Sequence, residues 1–215
     1  MRRALVVALL VVPGVLAAQS VTAGAEFAMM DYREQGAALR FQGTGFSARL
    51  ALSLWRIEAQ VRTTRLTIDG KESGDRITDP FVLEQPEFRI RYSVSPRIGI
   101  EVGGLNRAID PEHAAQSLRA WRAGGSFLQP LAPGADVGVR ASYLYVTDFA
   151  GGGTAPFGVE LGLGVSYGPG AGRFRVTGEY EFQRIDRRTT IAGQQMQVPI
   201  QSAVARVGLS AAFGR

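Results

Sequence analysis

Phe157-Gly158-Val159-Glu160-Leu161-Gly162-Leu163-Gly164-Val165-Ser166-Tyr167 alternates without a break: every odd position is apolar and every even one is Gly, Ser or Glu. A period of two puts these classes on opposite faces of an extended strand. The next stretch repeats the pattern, with Phe174, Val176, Tyr180 and Phe182 on one face and Arg175, Thr177, Glu179 and Glu181 on the other. Between them, Gly168-Pro169-Gly170-Ala171-Gly172 is a turn by composition. The two stretches together read as a hairpin with one oily face and one polar face.

Outward from this hairpin the same alternation recurs, and no stretch after residue 20 holds a helical period. Ten strands are expected, near 21–32, 45–54, 55–67, 86–94, 97–106, 117–128, 136–149, 157–167, 173–186 and 199–213. Short connections near 54–55, 95–96, 130–134 and 168–172 alternate with longer ones over 33–44, 68–85, 107–116, 150–156 and 187–198. An even strand number with that alternation is the plan of a single closed antiparallel up-and-down transmembrane β-barrel, with eight strands as the runner-up count. Closure also removes the sheet edges that separate strands would leave.

Face chemistry separates a membrane barrel from a soluble one. In the former the apolar face meets lipid and the polar face lines the lumen. The apolar face carries Ala, Val, Leu and Ile with aromatics near strand ends: Phe46, Trp55, Phe88, Tyr92, Tyr143, Tyr145, Phe149, Phe157, Tyr167, Phe174, Phe182 and Phe213. This distribution is expected of interfacial girdles. The opposite face supplies the expected lumen charges, namely Arg49, Arg56, Glu58, Arg62, Arg89, Arg91, Arg97, Glu101, Asp136, Arg140, Glu160, Arg173, Arg175, Glu179, Glu181 and Arg206, together with Glu26 and Glu87. Arg pairs bidentately with carboxylates and stays protonated when partly buried. Glycines on the same face, such as Gly99 and Gly162, leave room for those long side chains to cross. The expectation is a lumen largely filled by Arg–carboxylate pairs; the competing reading is a narrow, slightly anion-favouring pore.

The chain of 215 residues has no Cys, which excludes a disulfide scaffold, a Cys-based zinc site and a thiol nucleophile. At its start, Met1-Arg2-Arg3 precedes the apolar run Ala4 to Leu16, and the small residues Ala17 and Ala18 precede Gln19. This reads as a cleaved secretory signal peptide over 1–18, leaving 19–215 as the barrel domain, since the run is shorter than the ~20 residues that span a bilayer. The net charge of +5 does not point to nucleic acid, because the Arg residues alternate within strands and form no basic stripe.

In the last strand, Ala203, Ala205, Val207, Leu209, Ala211 and Phe213 alternate with Val204, Arg206, Gly208, Ser210 and Ala212. Bacterial outer-membrane barrels typically finish in such a strand, with a terminal aromatic. From about residue 21 onward the chain resembles that family, most closely the small OmpA-barrel or OmpX-like type. The resemblance is one of pattern, and Gly214-Arg215 after Phe213 departs from it. It implies location in the outer membrane, contact with outer-membrane lipid and lipopolysaccharide, and passage through the barrel-insertion machinery. It implies no cofactor and no specific surface partner.

Some barrels of this kind are lipid A-modifying enzymes or proteases, which generally need a His near the outer rim. The only His, His113, falls in an expected outer loop with Glu112 and Ser117, which on paper supply orienter, base and nucleophile. The expected reading of His113 is nonetheless a solvated loop residue. Asp69, Glu72, Asp75 and Asp79 are interrupted by Lys71 and Arg76 and do not have EF-hand spacing, so no metal is expected. Gly43-Thr44-Gly45 enters a strand and is no dinucleotide site. The functions left open are a structural, surface-interaction or limited-permeation barrel, an outer-membrane enzyme using His113, and a secreted soluble barrel binding a hydrophobic ligand.

Overall fold

A computed structural model describes residues 20–35, 39–70, 80–109, 111–169, 172–191 and 193–214. The signal-peptide residues, Glu72, Asp75 and Asp79 lie outside this set, as does the side chain of Glu112. Ten strands form one closed barrel: β1 (Ser20–Glu34), β2 (Leu39–Leu54), β3 (Ile57–Gly70), β4 (Phe81–Ser93), β5 (Ile98–Ile109), β6 (Leu118–Ala132), β7 (Ala135–Phe149), β8 (Thr154–Tyr167), β9 (Phe174–Ile191) and β10 (Gln194–Phe213). Each strand pairs antiparallel with its sequence neighbours. The ring closes where β1 meets β10, with Val21 opposite Phe213.

Both ends of the described chain lie at the short-turn end of the barrel. There Trp55-Arg56 joins β2 to β3 with Trp55 at φ 53°, a conformation that hairpin turns usually give to glycine. At the other end, a 3-10 helix at Pro111–Gln116 bridges β5 and β6. Pro86 interrupts the ladder between β4 and β5, whose paired residues jump from Glu84–Ala108 to Glu87–Leu105. Proline has no N–H to donate there.

The strands run further at the loop end than the sequence pattern suggests. β9 reaches Ile191 and β10 starts at Gln194, where a loop over 187–198 is expected. The cause is a reversal of the alternation partway up the wall, which β3 shows in one strand. Its outward positions run Ile57, Ala59, Val61, Thr63, Arg65, Thr67 and Asp69, while its inward positions run Glu58, Gln60, Arg62, Thr64, Leu66 and Ile68. Below Thr63 the barrel is oily outside and polar inside. Above it the barrel is polar outside and oily inside.

The same exchange occurs around the ring. The buried apolar cluster of Tyr32, Phe41, Leu66, Ile68, Phe81, Leu83, Leu105, Ile109, Ile185 and Ile200 lies inside the loop half. On the outside of that half stand charged pairs such as Arg65–Glu84 (3.4 Å) and Arg184–Asp186 (3.0 Å). The lower half therefore satisfies lipid, and the upper half obeys the packing rule of a water-soluble barrel. The lumen expected to be largely filled by Arg–carboxylate pairs has such pairs in its lower half and an apolar cluster in its upper half.

Candidate functional site

The exterior of the lower half is an apolar band bounded by aromatics. Trp55, Tyr92, Tyr167, Phe174 and Phe213 point outward near the short turns and are exposed on the barrel surface. Phe46, Phe88, Tyr143, Tyr145, Phe157 and the partly covered Phe182 point outward higher up. Ten residues separate Phe157 from Tyr167 on β8; at ~3.3 Å per residue and a ~40° tilt they climb about 25 Å, the height of a barrel's hydrocarbon band. No helix among the described residues is long and apolar enough to cross a membrane. The strands do so instead. The protein is a transmembrane β-barrel of the outer-membrane type.

Similarity to known proteins extends to the fold alone. No family model matches the chain, and no curated protein matches it. Among solved structures, an outer membrane channel from Pseudomonas putida F1 is similar, at 8% identity over 92% of this chain and 97% of that one, with a TM-score of 0.51. Neisserial surface protein A has 12% identity over 90% of this chain and 97% of that one, with a TM-score of 0.44. The outer membrane protease OmpT from Escherichia coli has 8% identity over 91% and 97%, with a TM-score of 0.48.

Inside the membrane band the lumen is crossed by a network of ion pairs. Its members come from seven strands: Arg62 from β3, Glu87 and Arg89 from β4, Arg122 from β6, Arg140 from β7, Glu160 from β8, Glu179 and Glu181 from β9, and Arg206 from β10. Arg62 meets Glu179 at 2.6 Å, and Arg122 meets Glu87 at 2.6 Å and Glu160 at 3.0 Å. Arg89 reaches Glu160 at 2.7 Å and Glu181 at 3.1 Å. Since β4 and β9 are five strands apart around a ring of ten, the Arg89–Glu181 pair spans the full diameter. Arg140 binds both Glu179 and, at 2.7 Å, Glu181. The network is dry at its centre: Glu160 is 0% exposed, and Glu181 and Arg206 are each 1% exposed.

Glycines make the crossing possible. A Cβ on Gly162 would meet the Arg140 side chain, and one on Gly99 would meet Arg91. Both positions are kept bare so that a guanidinium can lie along the wall. Just above the network, Arg107 donates to Gln85 (2.9 Å) and Gln183 (2.7 Å). Above that is the apolar cluster, capped by Phe41, Phe81 and the His113 ring, whose centroid lies 5.0 Å and 4.6 Å from theirs. Higher on the wall, Arg187 lies 4.8 Å from the centroid of the Phe149 ring and donates to the Gly152 carbonyl at 2.7 Å.

Most of the charges expected in the lumen point inward: Glu26, Arg49, Glu58, Arg62, Glu87, Arg89, Arg91, Glu101, Asp136, Arg140, Glu160, Arg175, Glu179, Glu181 and Arg206. Three do not. Arg56, Arg97 and Arg173 are exposed in or beside the short turns, because the alternation ends where the chain reverses. Arg56 lies over the Trp55 ring at 5.2 Å. Phe149, expected in the girdle, is buried inside, shifted by the irregularity that opens between Arg119 and Ala120 on the partner strand.

The strand pattern also leaves out lumen residues that matter. Arg122 follows lipid-facing Trp121, and that neighbour was the available signal. Arg107 and Arg187 fall in segments that read as loops but are strands.

His113 is part of the aromatic lid and not a solvated loop residue. No hydrogen bond joins it to Ser117 among the described residues, and the Ser117 hydroxyl accepts the Ile109 N–H at 3.0 Å. Asp69 is exposed, and no metal-holding cluster of acids and His occurs among the described residues. Outside the barrel, above the band, Asp31 accepts hydrogen bonds from Arg33, Arg40 and Gln42. Burial alone would raise the Asp31 carboxyl, but these donors outweigh it and hold the group below the usual carboxylate range.

Proposed function

We propose that this protein is a closed outer-membrane barrel with a structural and surface-interaction role, whose lumen conducts no solute at rest. The observation that carries this reading is the Arg–carboxylate network that bridges the full diameter with almost no solvent contact. An ion entering the lumen from the turn end would have to displace paired charges that hold one another at 2.6–3.1 Å. It would then meet an apolar layer with nothing to replace its hydration shell, a barrier of several kcal/mol for any small ion. Two seals of opposite chemistry in series leave no path that suits one permeant. The upper half, rigid and polar outside, is then a platform that carries the connecting loops clear of the lipid surface.

A limited-permeation role is supported by one feature, a polar vestibule of about 360 Å³ on the turn side of the network. Single-channel recording in planar bilayers tests the main reading. The closed barrel gives no stepwise conductance in symmetric salt at neutral pH. Reproducible steps of uniform size would overturn it.

A further inference from the structure

The vestibule between the network and the short turns is unevenly supplied with hydrogen-bonding groups. Arg49, Arg89, Arg91, Arg140 and Arg175 line it, against the carboxylates of Glu58, Glu101, Asp136 and Glu179. Two of those carboxylates are already engaged. Asp136 is held by Arg175, and Glu179 is shared by Arg62, Arg140 and Arg206. Glu101 lies 3.7 Å from Arg89 and 4.0 Å from Arg91, beyond hydrogen-bonding distance.

Arg49, Arg89 and Arg91 are then left facing two carboxylates, Glu58 and Glu101, so one positive charge is in excess. Buried Nε of Arg49, Nε and Nη1 of Arg89, and Nη2 of Arg91 have no hydrogen-bond partner among the described residues. Glu101 Oε2 is the one carboxylate oxygen of the vestibule in the same state among the described residues. Arg89 is more than nine-tenths buried, so its unpartnered edge is not a surface accident. Arg49 and Arg91 stand nearer the mouth, with side chains 17% and 21% exposed.

We propose that this vestibule is a binding site for a small oxyanion entering from the periplasmic side, held by Arg49, Arg89 and Arg91. Phosphate, sulfate and small carboxylates share the required chemistry: several acceptor oxygens and a negative charge that guanidinium donors match. Walls of low dielectric strengthen such contacts relative to water. A neutral ligand does not answer the excess positive charge. The proposal depends on the closed-lumen reading only in making the vestibule a dead end. Conductance tests that reading, and binding tests this one.

The protein, folded in a non-ionic detergent free of phospholipid, is titrated calorimetrically with inorganic phosphate, with sodium chloride at matched ionic strength as control. Saturable binding is expected with phosphate and not with chloride. It should weaken by at least about tenfold in Arg91→Gln and in Arg49→Gln, the loss expected when a hydrogen bond between charged groups is removed. Arg33→Gln, on the outer surface, should bind as the parent does. Absence of saturable binding, or parent-like affinity in both vestibule variants, overturns the site. If neither variant folds, the parent protein still decides: phosphate must raise the temperature at which its folded gel band is lost, and no rise refutes the proposal.

Discussion

Replacing Glu160 by Gln removes one negative charge from the centre of the network while preserving shape. Glu160 is fully buried and accepts from Arg89 at 2.7 Å, from Arg122 at 3.2 and 3.0 Å, and from the Gln183 amide at 3.0 Å. The substituted amide retains one acceptor oxygen but turns an NH2 toward guanidiniums that are themselves donors. Three arginines, Arg89, Arg122 and, at 3.8 Å, Arg140, lose a share of their compensation in a place water does not reach. Breaking a buried pair from one side costs about 3–5 kcal/mol, a factor of roughly 100 to 5,000 in the folding equilibrium. The matched control is Glu84→Gln, whose partner Arg65 lies 3.4 Å away on the outer surface with side chains 72% and 55% exposed. Exposed pairs of that kind contribute ~0–1 kcal/mol.

Urea unfolding in lipid vesicles measures both variants. Fluorescence is a suitable probe because Trp55 and Trp121 both face outward. The midpoint should fall clearly for Glu160→Gln and scarcely for Glu84→Gln. Equal midpoints for the two variants would refute the claim that the lumen network stabilises the barrel.

Two further substitutions probe the wall and the fit of the lumen. Val61 and Thr67 share the outward face of β3 on either side of the reversal. Val61→Arg should cost about 2–4 kcal/mol by placing charge in hydrocarbon, and Thr67→Arg should stay within ~0.5 kcal/mol; folding yield in vesicles against urea separates them. Gly162→Val should force Arg140 from its place between Glu179 and Glu181 and cost about 1–3 kcal/mol by overpacking, read as an earlier loss of the folded gel band on heating.

Strand number, closure and the facing of the lower half were legible in the sequence because lipid imposes one rule on every strand. The run Phe157 to Tyr167 carries that rule so plainly that its neighbours can be placed by analogy. The upper half was not legible, for a physical reason. There a strand such as Arg184 to Ile191 exposes polar residues to water and packs others inward, so charge accumulates and the segment reads as loop. Arg187 was lost for that reason. The network was visible as a stock of matched charges but not as pairs, since Arg62 and Glu179 are 117 residues apart and meet only once the ring has closed. The turn arginines Arg56, Arg97 and Arg173 show the opposite error: alternation extended past the point where the chain bends.

The reversal of facing along β3 sets the depth at which the barrel sits. Moving the molecule outward by one strand pair would lift Phe46 and Phe157 toward water and strand hydrophobic surface there. Moving it inward would drag Arg65, Glu84 and Asp186 into hydrocarbon. Either displacement is opposed from both sides, like a float with ballast below its waterline and buoyancy above. A barrel held at one height presents its outer loops at a constant distance from the lipid surface, whatever those loops meet.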